Sequence, residues 1–476
     1  MPNVSPSNRV FLVLVTIFLF VCAIPALAAD PQSEATIQAV PEGATPGPLP
    51  REERPWSIVS VFRGLMGLCT LLGLAWLMSL HRKKMPWRLV FGAVAMQILL
   101  GLFLIKWDIG YELFDKISGF ITKLLDFSNQ GAEFVFGSVV TGPSNGAALA
   151  FKALPTIVFF SCLMAVLYHL RVMHYLILAL ARVMNRFLGV TGAESMAMAA
   201  NIFVGQTEAP LVVRRFVPKM TKSELMSLMT GGFATVAGSV LAAYIAMLQQ
   251  GGGGEYIPHL LIASVMSAPA AFAISKVIIP ETEKSETGEG MPSEFKPAHD
   301  NLLDAAASGT TEGLQLWLNV FAMLLAFTAM VALINYGLGG IGNRIGVEGL
   351  SLELIFGRLL APLAYMMGVE WADATSFGSL LGIKIGVNEF IAYLGLQQEI
   401  VNNVAGVEGA MSKRSLFMAT YALCGFANFA SIGIQIGGIS PMAPERRGEI
   451  ISLALRAMLG GALASWMTAS IAGMFY

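Results

Sequence analysis

Asn201-Ile-Phe-Val-Gly-Gln-Thr-Glu208-Ala-Pro210 and Gly382-Ile-Lys384-Ile-Gly-Val-Asn388-Glu389-Phe-Ile-Ala-Tyr393 are polar runs set inside stretches that otherwise read as membrane-embedded. Each places a carboxylate beside amides. An ionised side chain at bilayer depth costs roughly 2.5–3.5 kcal/mol even on lenient insertion scales, so it persists only where protein, water, an ion or a substrate pairs with it. The runs therefore mark a binding site. Both are broken by Gly or Pro, and paired broken hydrophobic segments in the two halves of a chain point to a site at the membrane midplane.

The composition agrees. The chain has 476 residues, of which 55% are hydrophobic and only 13% charged, and a mean hydropathy of +0.67. So few charged groups cannot cover a water-soluble globule of this size, and the expected class is an all-α polytopic membrane protein. A formal net charge of -1 leaves no basic footprint for nucleic acid. Cys22, Cys69, Cys162 and Cys424 are widely separated in apolar runs, with no Cys-x-x-Cys pair and no disulfide framework. Arg9, the apolar run 10–24 and Ala26-Leu27-Ala28-Ala29 have the layout of a cleavable signal peptide over 1–29, with an uncleaved extra helix as the alternative. The Pro-rich stretch 30–55 then reads as a flexible exported leader.

Apolar segments long enough to span, at roughly 20 residues per crossing, fall at about 56–80, 87–107, 155–181, 222–248, 256–280, 313–338, 414–439 and 449–475, which makes eight transmembrane helices. With the leader outside, His81-Arg-Lys-Lys84, Arg182, Arg186, Arg214, Arg215, Lys219, Lys222, Arg446 and Arg447 all fall inside, as the excess of Lys and Arg in cytoplasmic loops requires. Residues 193–216 begin and end inside, and 371–400 begin and end outside. Each must enter the membrane and return as a re-entrant hairpin, which is permitted only where it is buried in protein or lines a cavity.

Each hairpin is followed by two spans, so one unit occurs twice with opposite orientation, an inverted repeat. The organisation read from this is scaffold helices and an interfacial helix over 56–192, a first repeat over 193–280, a cytoplasmic loop over 281–312, a scaffold span and interfacial helix over 313–370, and a second repeat over 371–476. Residues 108–135, where Glu112, Asp115, Lys116, Lys123 and Asp126 interleave with Phe and Leu, suit an interfacial amphipathic helix.

In the first hairpin Gly205 allows a tight turn, and Gln206, Thr207 and Glu208 both donate and accept, which suits a ligand with fused amide-like edges such as a nucleobase. Asn201 lies one helical turn before Val204, so its side-chain oxygen and a freed carbonyl could converge on a small hard cation. The alternative is that Asn and Thr satisfy the hairpin's own backbone. In the second hairpin Lys384 and Asn388 share a helix face. Glu389 is a partner for substrate hydroxyls, or else an ion pair with Lys384 locks the hairpin. Two spans carry matching Gly-rich interruptions, 230–240 and 424–438. Asn428 and Ser431, three apart on one face of the second, are placed to reach a ligand. An intramembrane enzyme is the rival from another class, but no His-Glu-x-x-His occurs and the five histidines are scattered, so no enzyme is expected.

Gly205-Gln-Thr-Glu-Ala-Pro210, the pattern Gly382-x-Lys384-x-x-x-Asn388-Glu-Phe-Ile-Ala-Tyr393 and Phe426-Ala-Asn428-Phe-Ala-Ser431, in that order and spacing, together resemble the concentrative nucleoside transporter family, a likeness that covers the chain from about residue 56 onward. The resemblance implies a homotrimer in a bacterial inner membrane, whose scaffold holds a moving transport domain and which imports nucleosides with a sodium or proton gradient. It implies that Gln206, Thr207 and Glu208 address the base, directly or through water, with Val240 packed against it. Glu389, Asn428 and Ser431 would hold the ribose hydroxyls, with Phe426 lining the pocket.

Asn201, the carbonyls of Val204 and Val236 and the hydroxyl of Thr235 would make a sodium site. No cofactor other than this coupling ion is implied. Thr235 stands where a serine is usual in sodium-coupled bacterial members. Its oxygen survives, which favours sodium over the proton, although the extra methyl alters the geometry. A gate-like channel or membrane sensor built on the same hairpins is the alternative reading.

Overall fold

A computed structural model describes residues 57–141, 149–287 and 299–476. The expected signal peptide and leader lie outside the described residues. Among the described residues every regular element is helical, as the composition required. Six helices are long and apolar enough to cross a bilayer: Ile58–Leu77, Trp87–Lys106, Lys222–Gln249, Gly254–Ile278, Leu302–Ile345 and Pro444–Ala472.

The other two stretches expected as spans are not continuous helices of that kind. The stretch expected as one span over 155–181 is Thr156–His169 followed by Val172–Leu188, bent by 77°. The bend sits at Arg171, the one described non-glycine residue with positive φ. Fourteen residues reach only about 21 Å, less than the roughly 30 Å hydrocarbon core. The second limb is amphipathic, burying Met173, Ile177, Ala181, Met184 and Leu188 on one stripe. The stretch 414–439 is Lys413–Ala422 and Phe429–Ile439 with an irregular break between them.

One further boundary differs from the reading. The segment 281–312 is not loop throughout, because Asn301 accepts a hydrogen bond from the Asp304 N–H at 2.9 Å and starts a 44-residue helix, Leu302–Ile345. Its first half lies along Thr156–His169, where Gly309 and Gly313 face Ala165 and Val158 closely enough that a β-carbon would collide. Small residues of this kind let helix backbones approach in lipid. The expected amphipathic helix is present as Asp108–Phe136, with Gly110, Ser118, Leu125, Ser128 and Ala132 as its buried stripe.

The duplicated unit is visible in the element order. Hairpin 1 is Gly192–Asn201, a tip, and a single turn Ala209–Val212, so its returning limb is shorter than a helix. It leads to a first broken span, Lys222–Ala234 and Gly238–Gln250, and then to Ile257–Ile278. Hairpin 2 is Ala374–Gly386 and Glu389–Val404. It leads to the second broken span, Lys413–Ala422 and Phe429–Ile439, and then to Arg447–Ala472. The units interlock, with Arg447–Ala472 packed on both Lys222–Ala234 and Ile257–Ile278.

The two breaks cross in direct contact. A β-carbon on Gly425 (φ +111°) would lie 2.7 Å from the Phe233 carbonyl oxygen, so only glycine fits the crossing, both sterically and by backbone conformation.

Candidate functional site

At hairpin 2 the polar run supplies helix starts. Asn388 caps Glu389–Val404, its side chain accepting from the Ile391 N–H at 2.9 Å, and Asn428 caps Phe429–Ile439 by accepting from the Ser431 N–H at 2.8 Å. Glu389 is the first residue of its helix and 4% exposed, where the positive end of the helix dipole favours a carboxylate. The Asn428 amide donates to Glu389 Oε2 at 2.5 Å. From the other unit, the buried Tyr244 hydroxyl lies near the same carboxylate and makes no hydrogen bond of its own. Its ring stacks on Tyr393, with centroids 4.3 Å apart. Phe426 is buried in the second break beside these groups.

Lys384 does not pair with Glu389. Its Nζ donates to the Ala422 carbonyl (2.9 Å), the Cys424 carbonyl (3.0 Å) and Ser465 Oγ (2.9 Å). The ion-pair reading fails because breaking the second span frees two carbonyls that must be satisfied in a buried setting, and a fully buried ammonium supplies the donors.

The tip of hairpin 1 meets the far end of the helix that Asn428 caps. Thr207 packs on Gly438, and Gln206 lies beside Gly232 together with the Gln435 amide. Gln435 donates to the Met229 carbonyl at 2.9 Å, while the side-chain oxygens of Gln435 and Gln206 are buried without partners. Seven residues separate Asn428 from Gln435, about 10 Å along a helix. The Glu389–Asn428–Ser431 group and the Gln206–Thr207 group thus occupy opposite ends of one short helix.

Glu208 differs from its neighbours. Its side chain is exposed on the single chain, accepts from the Gly205 N–H at 3.0 Å, and has Tyr168 and Glu312 on its flank. Val240 is buried on the first turn after the first break.

The four cation-ligand candidates sit where hairpin 1 touches the first break. Asn201 is 1% exposed, and neither polar atom of its side chain has a partner. It therefore does not serve the hairpin's own backbone. It lies over Gly231, the residue whose carbonyl accepts the Thr235 hydroxyl at 2.9 Å. With its proton used there, the Thr235 oxygen keeps lone pairs free.

The neighbouring carbonyls are taken, Ile202 by Ser264 Oγ (2.9 Å) and Phe203 by the Gly238 N–H (2.8 Å). Among the described residues no hydrogen bond found reaches the carbonyls of Val204 or Val236. An orphaned amide oxygen, a hydroxyl and two free carbonyls are the neutral donor types that replace the hydration shell of a monovalent cation. Among the described residues no group of three His, Cys, Asp or Glu could hold a metal ion.

The profile of the Na+ dependent nucleoside transporter C-terminus matches residues 259–473, that of its N-terminus residues 66–139, and a "Gate" profile for nucleoside recognition residues 150–251. The chain is 40% identical over 421 residues to the Bacillus subtilis uncharacterized transporter YutK, covering 88% of this chain and 100% of that protein. This chain belongs to the Na+ dependent nucleoside transporter family. It is also 40% identical over 433 residues to mouse sodium/nucleoside cotransporter 1, covering 89% of this chain and 64% of that longer protein.

Among solved structures it resembles CNTnw in an inward-facing substrate-bound state, with a TM-score of 0.81 at 40% identity, covering 87% of this chain and 98% of that one. A CNTnw variant in an outward-facing state gives a TM-score of 0.80 at 39% identity, with 88% and 98% covered. The chain is accordingly a helical, multi-pass transporter-family membrane protein with scaffold and transport domains.

Two participants escaped the sequence reading. Tyr244 carries no local signal, since only the crossing of the units brings it to Glu389. Gln435 lay within a stretch already noted as Gly-rich and polar, and its place seven residues after Asn428 was the available clue.

Proposed function

We propose that this protein imports nucleosides across the bacterial inner membrane by alternating access, coupled to sodium. The observation that carries the reading is the pair of polar groups, one from each repeat, at the two ends of Phe429–Ile439. Glu389, Asn428 and Ser431 offer a charged acceptor and amide and hydroxyl groups to the ribose. Gln206, Thr207 and Glu208 address the base, directly or through water, with Val240 and Phe426 closing the apolar sides. Asn201, Thr235 and the carbonyls of Val204 and Val236 hold the sodium ion, which adds positive charge beside the hairpin tip and orders both broken ends before the nucleoside binds.

The moving transport domain comprises residues 193–280 and 371–476, carried by scaffold helices from 56–192 and 313–370. Leu302–Ile345 has only 11% of its apolar window buried, which leaves a long face for lipid and for neighbouring copies in a homotrimer. One charge crossing 100 mV supplies about 2.3 kcal/mol, roughly fiftyfold accumulation.

The test is radiolabelled uridine uptake into proteoliposomes under an imposed sodium gradient, repeated with a proton gradient. Sodium-driven accumulation above equilibrium is expected. Uptake that only equilibrates would favour a channel, and accumulation driven by protons alone would reject the coupling ion.

A further inference from the structure

The helices that end at the proposed ion site also share an unusual beginning. Gly192–Asn201 and Lys222–Ala234 each start with a capping box, Thr191 with Glu194 and Thr221 with Glu224. Asn201 is the last residue of one, and Thr235 directly follows the other. Each box already satisfies its own helix start. The glutamates of both are nevertheless buried, and the boxes are bound together by side chains from the end of Ile257–Ile278 and from the chain just beyond it.

Lys276 pairs with Glu194 and donates to Ser223 Oγ at 3.1 Å, and Ser223 donates to the Ile279 carbonyl at 2.7 Å. The chain then folds back as a strap over 281–287. Glu281 accepts from the Thr221 hydroxyl at 2.8 Å, and Ser285 donates to Glu224 Oε1 at 2.6 Å. The Thr287 hydroxyl sits between Glu224 Oε1 and Thr191 Oγ1, bonded to the first and 3.2 Å from the second, so this single residue touches both boxes. Glu194, Glu224, Lys276 and Thr287 are at most 3% exposed.

We infer that the strap and these buried charges form a latch that sets the register of the two helices, and with it the separation of Asn201 from Thr235 at their far ends. Thr287, Ser285 and Glu224 are then positioning residues for the coupling ion. The inference rests on the ion site proposed above. The helix Gly192–Asn201 transmits the setting over about 15 Å as a stiff rod. A buried polar network of this kind fixes one arrangement when every member is satisfied and loosens when a member is lost.

The test combines Thr287→Val with Ser285→Ala in the full chain, read by two sodium titrations against choline: thermal stabilisation of the detergent-solubilised protein, and uridine uptake. The half-saturating sodium concentration is expected to rise about tenfold in both, with the uridine KM at saturating sodium within twofold of the parent, and Thr287→Ser is expected to restore the parent titration. Asn201→Ala separates the two readings. If it retains sodium-dependent stabilisation, the ion site falls and the latch with it. If it loses that stabilisation while the strap variant titrates like the parent, the latch alone is overturned. An equal rise in uridine KM would also overturn it, as general loosening of the fold. Should the double variant fail to assemble, Thr287→Val alone decides by the same titrations.

Discussion

Replacing Glu389 with Gln removes the one charged acceptor at the sugar end of the site while keeping its size. The carboxylate is 4% exposed and already bonded by the Asn428 amide, so its remaining acceptor capacity is what a ribose can use. Bonds to charged groups contribute about 1.5–3 kcal/mol and neutral ones about 0.5–1.5 kcal/mol, so the substitution forfeits about 1–1.5 kcal/mol per hydroxyl. Two hydroxyls make about 2–3 kcal/mol, a loss of roughly 30- to 150-fold in affinity. Folding is spared, because the variant no longer buries a charge and an amide oxygen can still accept from Asn428.

The assay is uridine uptake over a concentration series in proteoliposomes, with uridine-induced thermal stabilisation as the binding readout. Uptake at low uridine should fall to background while the unliganded melting temperature holds. Parent-level affinity in the Glu389→Gln protein would refute the sugar-end assignment.

Two other substitutions separate support from binding. Lys384→Met leaves the Ala422 and Cys424 carbonyls without their donor, and each buried unsatisfied group costs about 1–3 kcal/mol. A lower melting temperature with the parent sodium dependence is expected, read by thermal unfolding in detergent. Tyr244→Phe removes a hydroxyl near Glu389 that makes no hydrogen bond of its own, so the melting temperature should hold, and because a bound nucleoside can use that free hydroxyl, worth about 0.5–1.5 kcal/mol, uridine KM should rise about three- to tenfold.

Much of this architecture was legible in the residues because lipid is a strict solvent. Carboxylates and amides within apolar stretches, and the parity of Lys and Arg along the chain, gave the hairpins and their repetition. Element ends were less legible. The bend at Arg171 and the capped start at Asn301 depend on which neighbour a helix packs against, and hydropathy reports only total apolarity. At the site, the residue types named at both polar runs are found at helix ends and breaks, as their chemistry required. The alternative of a Lys384–Glu389 ion pair rested on their nearness in sequence, whereas the freed carbonyls of a distant break take the ammonium. Tyr244 and the latch at Thr287 depend on contacts between segments far apart in sequence, which no local pattern encodes.

The most direct test of the central claim, that the two repeats share one substrate, is an experimental structure of the protein with uridine in sodium. The account predicts the sugar against Glu389, Asn428 and Ser431, the base against Gln206 and Thr207, and ion density between Asn201 and Thr235. A nucleoside bound by residues of one repeat alone, or away from Phe429–Ile439, would contradict it.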